Sequence, residues 1–201
     1  MNLVLIGPSG AGKGTQAEKV ALKFGMRHIA TGDLFREDLE NQTALGLLAK
    51  KYMDQGELVP DEVTDAMVEA CLRRISPDQG VILDGFPRTV YQAEALDELM
   101  TGLDRTLDAA IYINVPDQEI LIERIPGRLT CKSCQRPFHE KYNPFTSCPD
   151  HWCGGEHLYR REDDTTEITA TRLRIFHRQI APVVEHYHRT GRLIIIDGRG
   201  S

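Results

Sequence analysis

Gly7-Pro8-Ser9-Gly10-Ala11-Gly12-Lys13-Gly14-Thr15 follows directly on the apolar run Asn2–Ile6 and leads into a helix-period stretch over residues 15–23. Strand, glycine-rich turn, lysine and helix, in that order, are the context a phosphate-binding loop requires. Glycines let the backbone fold tightly, so that several N–H groups converge on phosphate oxygens. The helix behind the loop adds the positive end of its dipole. Lys13 is placed to bridge β- and γ-phosphates, and Thr15 offers a hydroxyl near the metal or phosphate. The pattern departs from G-x-x-x-x-G-K-[ST], because Gly14 separates Lys13 from Thr15. A glycine-rich turn without a ligand is the competing reading, and it leaves the coincidence of strand, lysine and helix unexplained.

Further apolar strand-like runs lie at 81–83, 109–115 and 192–196, with helical patterns between them at 61–75, 89–100 and 117–125. Strands separated by helices predict a parallel sheet covered on both faces, an α/β fold of three layers around a P-loop. A long helix is predicted over 166–188, with Leu173, Phe176, Ile180, Val183 and Tyr187 at three-or-four spacing. Pro182 inside it predicts a kink or local break. Two segments leave this rhythm. Residues 30–59 read as helices without a strand, and residues 127–164 read as a small loop-rich unit with Pro137, Pro144 and Pro149. Both read as insertions into one core made of 1–29, 60–126 and 165–201.

The bulk properties narrow the class. A formal net charge of -6 opposes broad nucleic-acid binding, which shows as a basic excess. A small anionic ligand remains open, because most of the basic residues are Arg, whose planar fork suits phosphate oxygens. The longest apolar runs, 3–6 and 193–196, are far too short to span a bilayer. The chain enters a strand-like run with no signal-peptide pattern, so the expected location is cytoplasmic.

Four of the five cysteines fall between 131 and 153, while Cys71 stands alone. Cys131-x-x-Cys134 and the wider pair Cys148 and Cys153 have the arrangement of a structural zinc site, since tetrahedral coordination takes two hairpin-like pairs. The wider spacing of the second pair leaves Asp150 or His151 as a substitute for one Cys. A disulfide, free thiols, or iron held by four thiolates are the rival readings. A closed site of this type has no open coordination position, so its metal would be structural and not catalytic.

Beyond these features, the chain resembles the adenylate kinases. Gly10-Ala11-Gly12-Lys13-Gly14-Thr15-Gln16 is the phosphate loop they carry, and Thr31-Gly32-Asp33-Leu34-Phe35-Arg36 is similar to their TGD-x-x-R segment. Asp84-Gly85-Phe86-Pro87-Arg88-Thr89 matches their DGFPRT signature, with Gln92 at the family spacing. Arg124 to Arg128 resembles R-x-x-G-R, and Arg161-Glu162-Asp163-Asp164 resembles R-x-D-D. The matches occur in order over essentially the whole chain, which is far more specific than any one of them.

The resemblance implies reversible phosphoryl transfer, ATP + AMP = 2 ADP, with Mg²⁺, and a role in adenine nucleotide balance. Gly10, Ala11, Gly12, Lys13, Gly14 and Thr15 would hold ATP phosphates, and Pro137, Phe138 and Gly200 would lie at its adenine. Thr31, Arg36, Glu57, Leu58, Val59, Gly85, Phe86, Pro87, Arg88 and Gln92 would form the AMP site, making 30–59 the AMP-binding insertion. Arg88, Arg124, Arg128, Arg161 and Arg172 would join Lys13 around the transferring group, Arg124 and Arg128 also binding ATP and Arg161 and Arg172 also binding AMP, and Asp84 would act on Mg²⁺ through water. The 127–164 segment would be a lid, stapled in some members by zinc, with Cys131, Cys134, Cys148 and Cys153 as ligands. The expected partners are ATP, AMP and ADP, with no nucleic acid and no membrane, and the expected state is a monomer.

Thr31 and Gln92 are typical of adenine-selecting members, because a hydroxyl and an amide read the adenine edge by hydrogen bonds. A kinase for UMP or CMP, or one using GTP as donor, is the alternative. A GTPase-type reading lacks both a Ser/Thr directly after Lys13 and an N-K-x-D string, and a zinc-ribbon reading leaves the phosphate loop unexplained. The family continues past Asp197-Gly198 into a last helix, whereas this sequence ends at Ser201.

Overall fold

The computed structural model describes residues 1–148 and 153–199. In chain order the elements are β1 (Asn2–Ile6), α1 (Lys13–Phe24), β2 (Arg27–Ala30), α2 (Thr31–Glu40), α3 (Ala44–Met53), α4 (Asp61–Leu72), β3 (Val81–Asp84) and α5 (Val90–Gly102). They continue with β4 (Ala109–Asn114), α6 (Gln118–Arg124), β5 (Arg128–Cys131), β6 (Pro137–His139), β7 (Leu158–Tyr159), α7 (Thr166–Arg189) and β8 (Leu193–Asp197). Asp150, His151 and Gly200, to which the sequence assigns metal or adenine contacts, lie outside the described residues.

Five strands form a sheet in the order β2-β3-β1-β4-β8, every pair parallel. All five residues of β1 are buried, as expected of a central strand covered on both faces. The alternation of side chains divides them between two layers. Val4, Ile6, Val81, Leu83 and Ala110 pack against Val68 and Leu72 of α4, Leu96 and Met100 of α5, and Val183 and Tyr187 of α7. On the other face Leu3, Leu5 and Ile82 meet Ala17 and Ala21 of α1. Each fully buried aliphatic side chain contributes roughly 1.5–3 kcal/mol, so this two-sided core is what fixes the strand order.

Local chemistry sets the helix starts. Thr89 caps α5 by accepting the Gln92 N–H at 3.1 Å, and Thr165 caps α7 by accepting the Ile168 N–H at 3.3 Å. Of the kink or local break expected at Pro182, the break does not occur: α7 continues through it as one helix. Pro182 is exposed, so the carbonyl that loses its partner is left on the watered side of the helix.

The insertions differ in kind. Residues 30–59 carry α2 and α3, which pack on each other around Phe35, Ala49 and Val59. Residues 127–164, read from the sequence as loop-rich, carry a three-stranded antiparallel sheet in the order β6-β5-β7. The buried centre of its small core is Cys131, Phe138, Cys148 and Cys153, with Leu129, Cys134, Phe145 and Leu158 packed against it. β2 is also absent from the sequence reading: its four residues begin with Arg27 and His28 and present only Ile29 fully to the core.

Candidate active site

Parallel strands place all their C-terminal ends at one edge of the sheet. β1 and β3 are neighbours in register, with Leu5 opposite Asp84, so the loop after β1 and the loop after β3 emerge side by side. They open into a cleft of about 1420 Å³. The phosphate loop forms its floor, α2 and the segment Glu57, Leu58 and Val59 one wall, and the small sheet the other.

The loop needs glycine for geometric reasons. Gly10 sits at φ 83°, and a Cβ there would lie 3.0 Å from the Leu121 carbonyl oxygen. Lys13 folds back so that its ammonium donates to the Pro8 carbonyl at 3.0 Å. Burial lowers its pKa to about 8, assisted by Arg88, Arg128 and Arg172, although Asp84 pulls the other way.

Asp84 lies at the foot of the same cleft, 3.7 Å from His28 Nε2. Burial pushes this carboxyl up, but the His28 contact and the charges of Lys13 and Arg88 outweigh it and hold it below the usual carboxylate range. An ionised, largely buried carboxylate beside the phosphate loop is the donor type a hard, hydrated cation takes.

Arg36, Arg88, Arg124, Arg128, Arg161 and Arg172 all reach this cleft, although they come from four separate stretches of chain. Carboxylates hold several of them. Arg128 donates two hydrogen bonds to Asp164, one of them 2.8 Å from Nε, and Arg172 is paired with Asp163. Asp33 accepts from both Arg36 and Arg161, the latter at 3.2 Å. These carboxylates do not offset the cluster. Arg88 falls to about 10 through burial and the nearby charges of Arg172 and Arg36, and Arg161 to about 10 through burial, Arg36 and Arg128. Crowded, partly desolvated guanidinium groups are a preformed site for an anion with several oxygens.

Most residues expected to bind nucleotide line this one cleft: Gly10, Ala11, Gly12, Lys13, Gly14, Thr15, Thr31, Arg36, Glu57, Leu58, Val59, Gly85, Arg88, Gln92, Pro137 and Phe138. Phe86 and Pro87 do not line it. Phe86 is packed in the main core at 1% exposure. Thr31 donates to the Gly85 carbonyl at 3.1 Å, and Gln92 accepts the Arg88 N–H at 2.7 Å, so the two halves of the expected acceptor site are bonded together.

The cysteine cluster lies at the C-terminal end of β5, and Cys134 also lines the cleft. The sulfur atoms of Cys131, Cys134 and Cys148 all lie within 4.8 Å of one another, and Cys153 shares their buried cluster. None of the described cysteines is in a disulfide. Burial pushes the Cys131 thiol up, but the N–H groups of Cys134 and Ser133 aim at its sulfur and help bring it to about 6.

The sequence reading passed over several side chains that the structure puts at the site: His28, Asp33, Asp61, Asp163 and Asp164. Asp33, Asp163 and Asp164 stand within the motifs already quoted, and an excess of arginine in one place was itself a reason to look for acidic neighbours. Asp61 gave no such signal, being an ordinary first-turn acid of α4.

Comparison with known proteins agrees with this geometry. The adenylate kinase family model matches residues 5–192. The chain is 51% identical to the adenylate kinase of Carboxydothermus hydrogenoformans, over 100% of this chain and 94% of that protein. It is 47% identical to the adenylate kinase of Enterococcus faecalis, over 98% and 92% of the two chains. With that of Bacillus licheniformis the identity is 49%, over 99% and 91%. With a phosphate loop, an arginine-lined cleft and matches of this extent, the chain belongs to the adenylate kinase family.

Proposed function

We infer that the chain catalyses ATP + AMP = 2 ADP, with its own side chains positioning both nucleotides and neutralising the group in flight. The observation that carries this reading is the convergence of Lys13 and the Arg36, Arg88, Arg124, Arg128, Arg161 and Arg172 guanidinium groups on one cleft above the phosphate loop. Phosphoryl transfer passes through a loose transition state whose charge spreads over the equatorial oxygens. The protein's task is alignment and positive charge, and no covalent intermediate on the enzyme is needed.

Gly10 to Thr15 and Arg124 are assigned to the ATP phosphates, and Pro137 and Phe138 to its adenine. Thr31, Arg36, Glu57, Leu58, Val59, Gly85, Arg88 and Gln92 are assigned to AMP, with Phe86 and Pro87 contributing backbone only. Arg128, Arg161 and Arg172 act between the nucleotides. Each of these arginines is already oriented by a carboxylate, so little ordering remains to be done when phosphate arrives. Residues 30–59 serve as the AMP-binding insertion and 127–164 as the lid, and both close to exclude water.

Mg²⁺ fits the Thr15 hydroxyl and, through water, the Asp84 carboxylate, which its surroundings keep ionised. When bound it supplies charge to the polyphosphate. Zn²⁺ fits the cysteine cluster, whose donor set is soft thiolate. Cys131, Cys134 and Cys148 supply three ligands and Cys153 is assigned as the fourth. The chain is read as a cytoplasmic monomer: one chain carries every residue assigned above, and cysteines outside disulfides suit a reducing compartment. ADP formation from ATP with each of AMP, GMP, UMP and CMP tests the reading. AMP should be the preferred acceptor, and failure with all four would overturn it.

A further inference from the structure

We propose that Asp61 is a specificity-determining positioning residue that locks the Gln92 amide in the orientation that accepts a 6-aminopurine and rejects a 6-oxopurine. The proposal rests on the reading that Gln92 meets the base of the acceptor nucleotide. Asp61 is the first residue of α4 and packs across the N-terminus of α5. One carboxylate oxygen accepts from Gln92 Nε2 at 2.7 Å, and the other accepts from the Thr89 hydroxyl at 2.9 Å. Thr89 in turn caps α5 at the Gln92 N–H, so Asp61 is held in place by the same turn that presents Gln92.

A carboxamide carries two N–H donors and two acceptor lone pairs. In Gln92 one donor goes to Asp61, and one lone pair takes the Arg88 N–H at 2.7 Å. Gln92 is 2% exposed, and its remaining capacity is one donor and one acceptor, offered to the cleft it lines. Their order is fixed. Adenine offers a donor at N6 beside an acceptor at N1 and satisfies both. Hypoxanthine and guanine offer an acceptor at O6 beside a donor at N1, which needs the amide turned over.

Turning it over would set Oε1 against the accepting carboxylate oxygen of Asp61 and the NH₂ against the Arg88 N–H. Both contacts then fail at once, in a buried position where an unmade hydrogen bond is costly. Gln92 therefore discriminates because Asp61 and the Arg88 backbone hold it, not through its own chemistry, which is symmetric to a flip. Asparagine at position 61 would remove the lock without changing volume. With its oxygen still taking the Thr89 hydroxyl, it would present an NH₂ to Gln92 and favour the reversed amide.

The test compares kcat/KM for AMP and for IMP in the intact enzyme, its Asp61→Asn and Asp61→Ala variants, and a Gln92→Ala variant, with KM for ATP as control. IMP differs from AMP at the 6-position and carries no 2-amino group. Asp61→Asn is expected to lower the AMP/IMP ratio by about tenfold or more, the range set by one failed buried hydrogen bond. KM for ATP should stay within about twofold, which a general loss of packing would not achieve. Asp61→Ala should move the ratio in the same direction. If Gln92→Ala collapses the ratio while both Asp61 variants keep it within about twofold, Asp61 has no such role. If Gln92→Ala itself leaves the ratio unchanged, the base-reading assignment of Gln92 is wrong and the proposal goes with it.

Discussion

Raising the pH from 7 to 9 should turn ATP binding into a proton-consuming step. In the ligand-free protein the Lys13 pKa is lowered to about 8, first by burial and then by the neighbouring arginines. A polyphosphate beside Nζ supplies the negative charge that restores the ammonium form. At pH 7 Lys13 is about 90% protonated before ATP arrives, at pH 8 about half, and at pH 9 about a tenth. Each ATP should therefore carry in about 0.1, 0.5 and 0.9 proton respectively. Apparent affinity should weaken toward tenfold per pH unit above 8, which is about 1.4 kcal/mol per unit. Titration calorimetry in two buffers of different ionisation enthalpy reads the uptake directly, and Lys13→Met should abolish it. Uptake below about 0.1 proton at pH 8, or an affinity flat between pH 7 and 9, would refute the reasoning. Stability carries the matching sign. Because the folded pKa lies below the ordinary value of 10.5, the cost of burying this ammonium is present in full below pH 8. That cost fades between pH 8 and 10.5 and is gone above it.

Three further outcomes follow from particular contacts. Gly85→Ala forces a side chain onto a backbone at φ 78°, with its Cβ 3.0 Å from Arg88 Nη2 and 3.1 Å from Thr31 Oγ1. KM for AMP should rise about tenfold in steady-state assays while KM for ATP stays put, because one hydrogen-bonded pair is pushed apart. Tyr187→Phe should stabilise the fold by about 1 kcal/mol in urea unfolding, since the hydroxyl is buried at 0% exposure without a hydrogen-bond partner; a loss of stability would show that the hydroxyl is satisfied. Chelation under denaturing conditions should release about one zinc per chain and, after removal, lower the melting temperature; no released metal would end the staple reading of the cysteine cluster.

The sheet was legible wherever burial is two-sided. Asn2–Ile6 is apolar throughout and appears in the structure with the bounds read from sequence, and the runs at 81 and 109 hold to within a residue or so. β2 was not legible, because a short edge strand that begins Arg27-His28 buries only Ile29 and has no period to detect. The strands of the small sheet are two to four residues long, too short for alternation to show. Pro182 does not break α7, because on the exposed side water can replace the partner that the missing N–H leaves. At the site, cations and several carboxylates were legible within motifs, whereas which carboxylate aims which cation was not. Asp164 meets Arg128 across 36 residues and Asp33 meets Arg161 across 128, separations that no local pattern encodes.

The small sheet has a thin hydrocarbon interior, in which Leu129, Phe145 and Leu158 are only partly buried. Its centre is the sulfur of Cys131, Cys148 and Cys153 around Phe138. The atoms that pack it are thus the atoms that oxidants attack, shielded while the sheet stays shut and its metal stays bound. Ageing of the protein in storage should begin there, with the parallel sheet still intact, and a reductant rather than a lower temperature is the measure that preserves it.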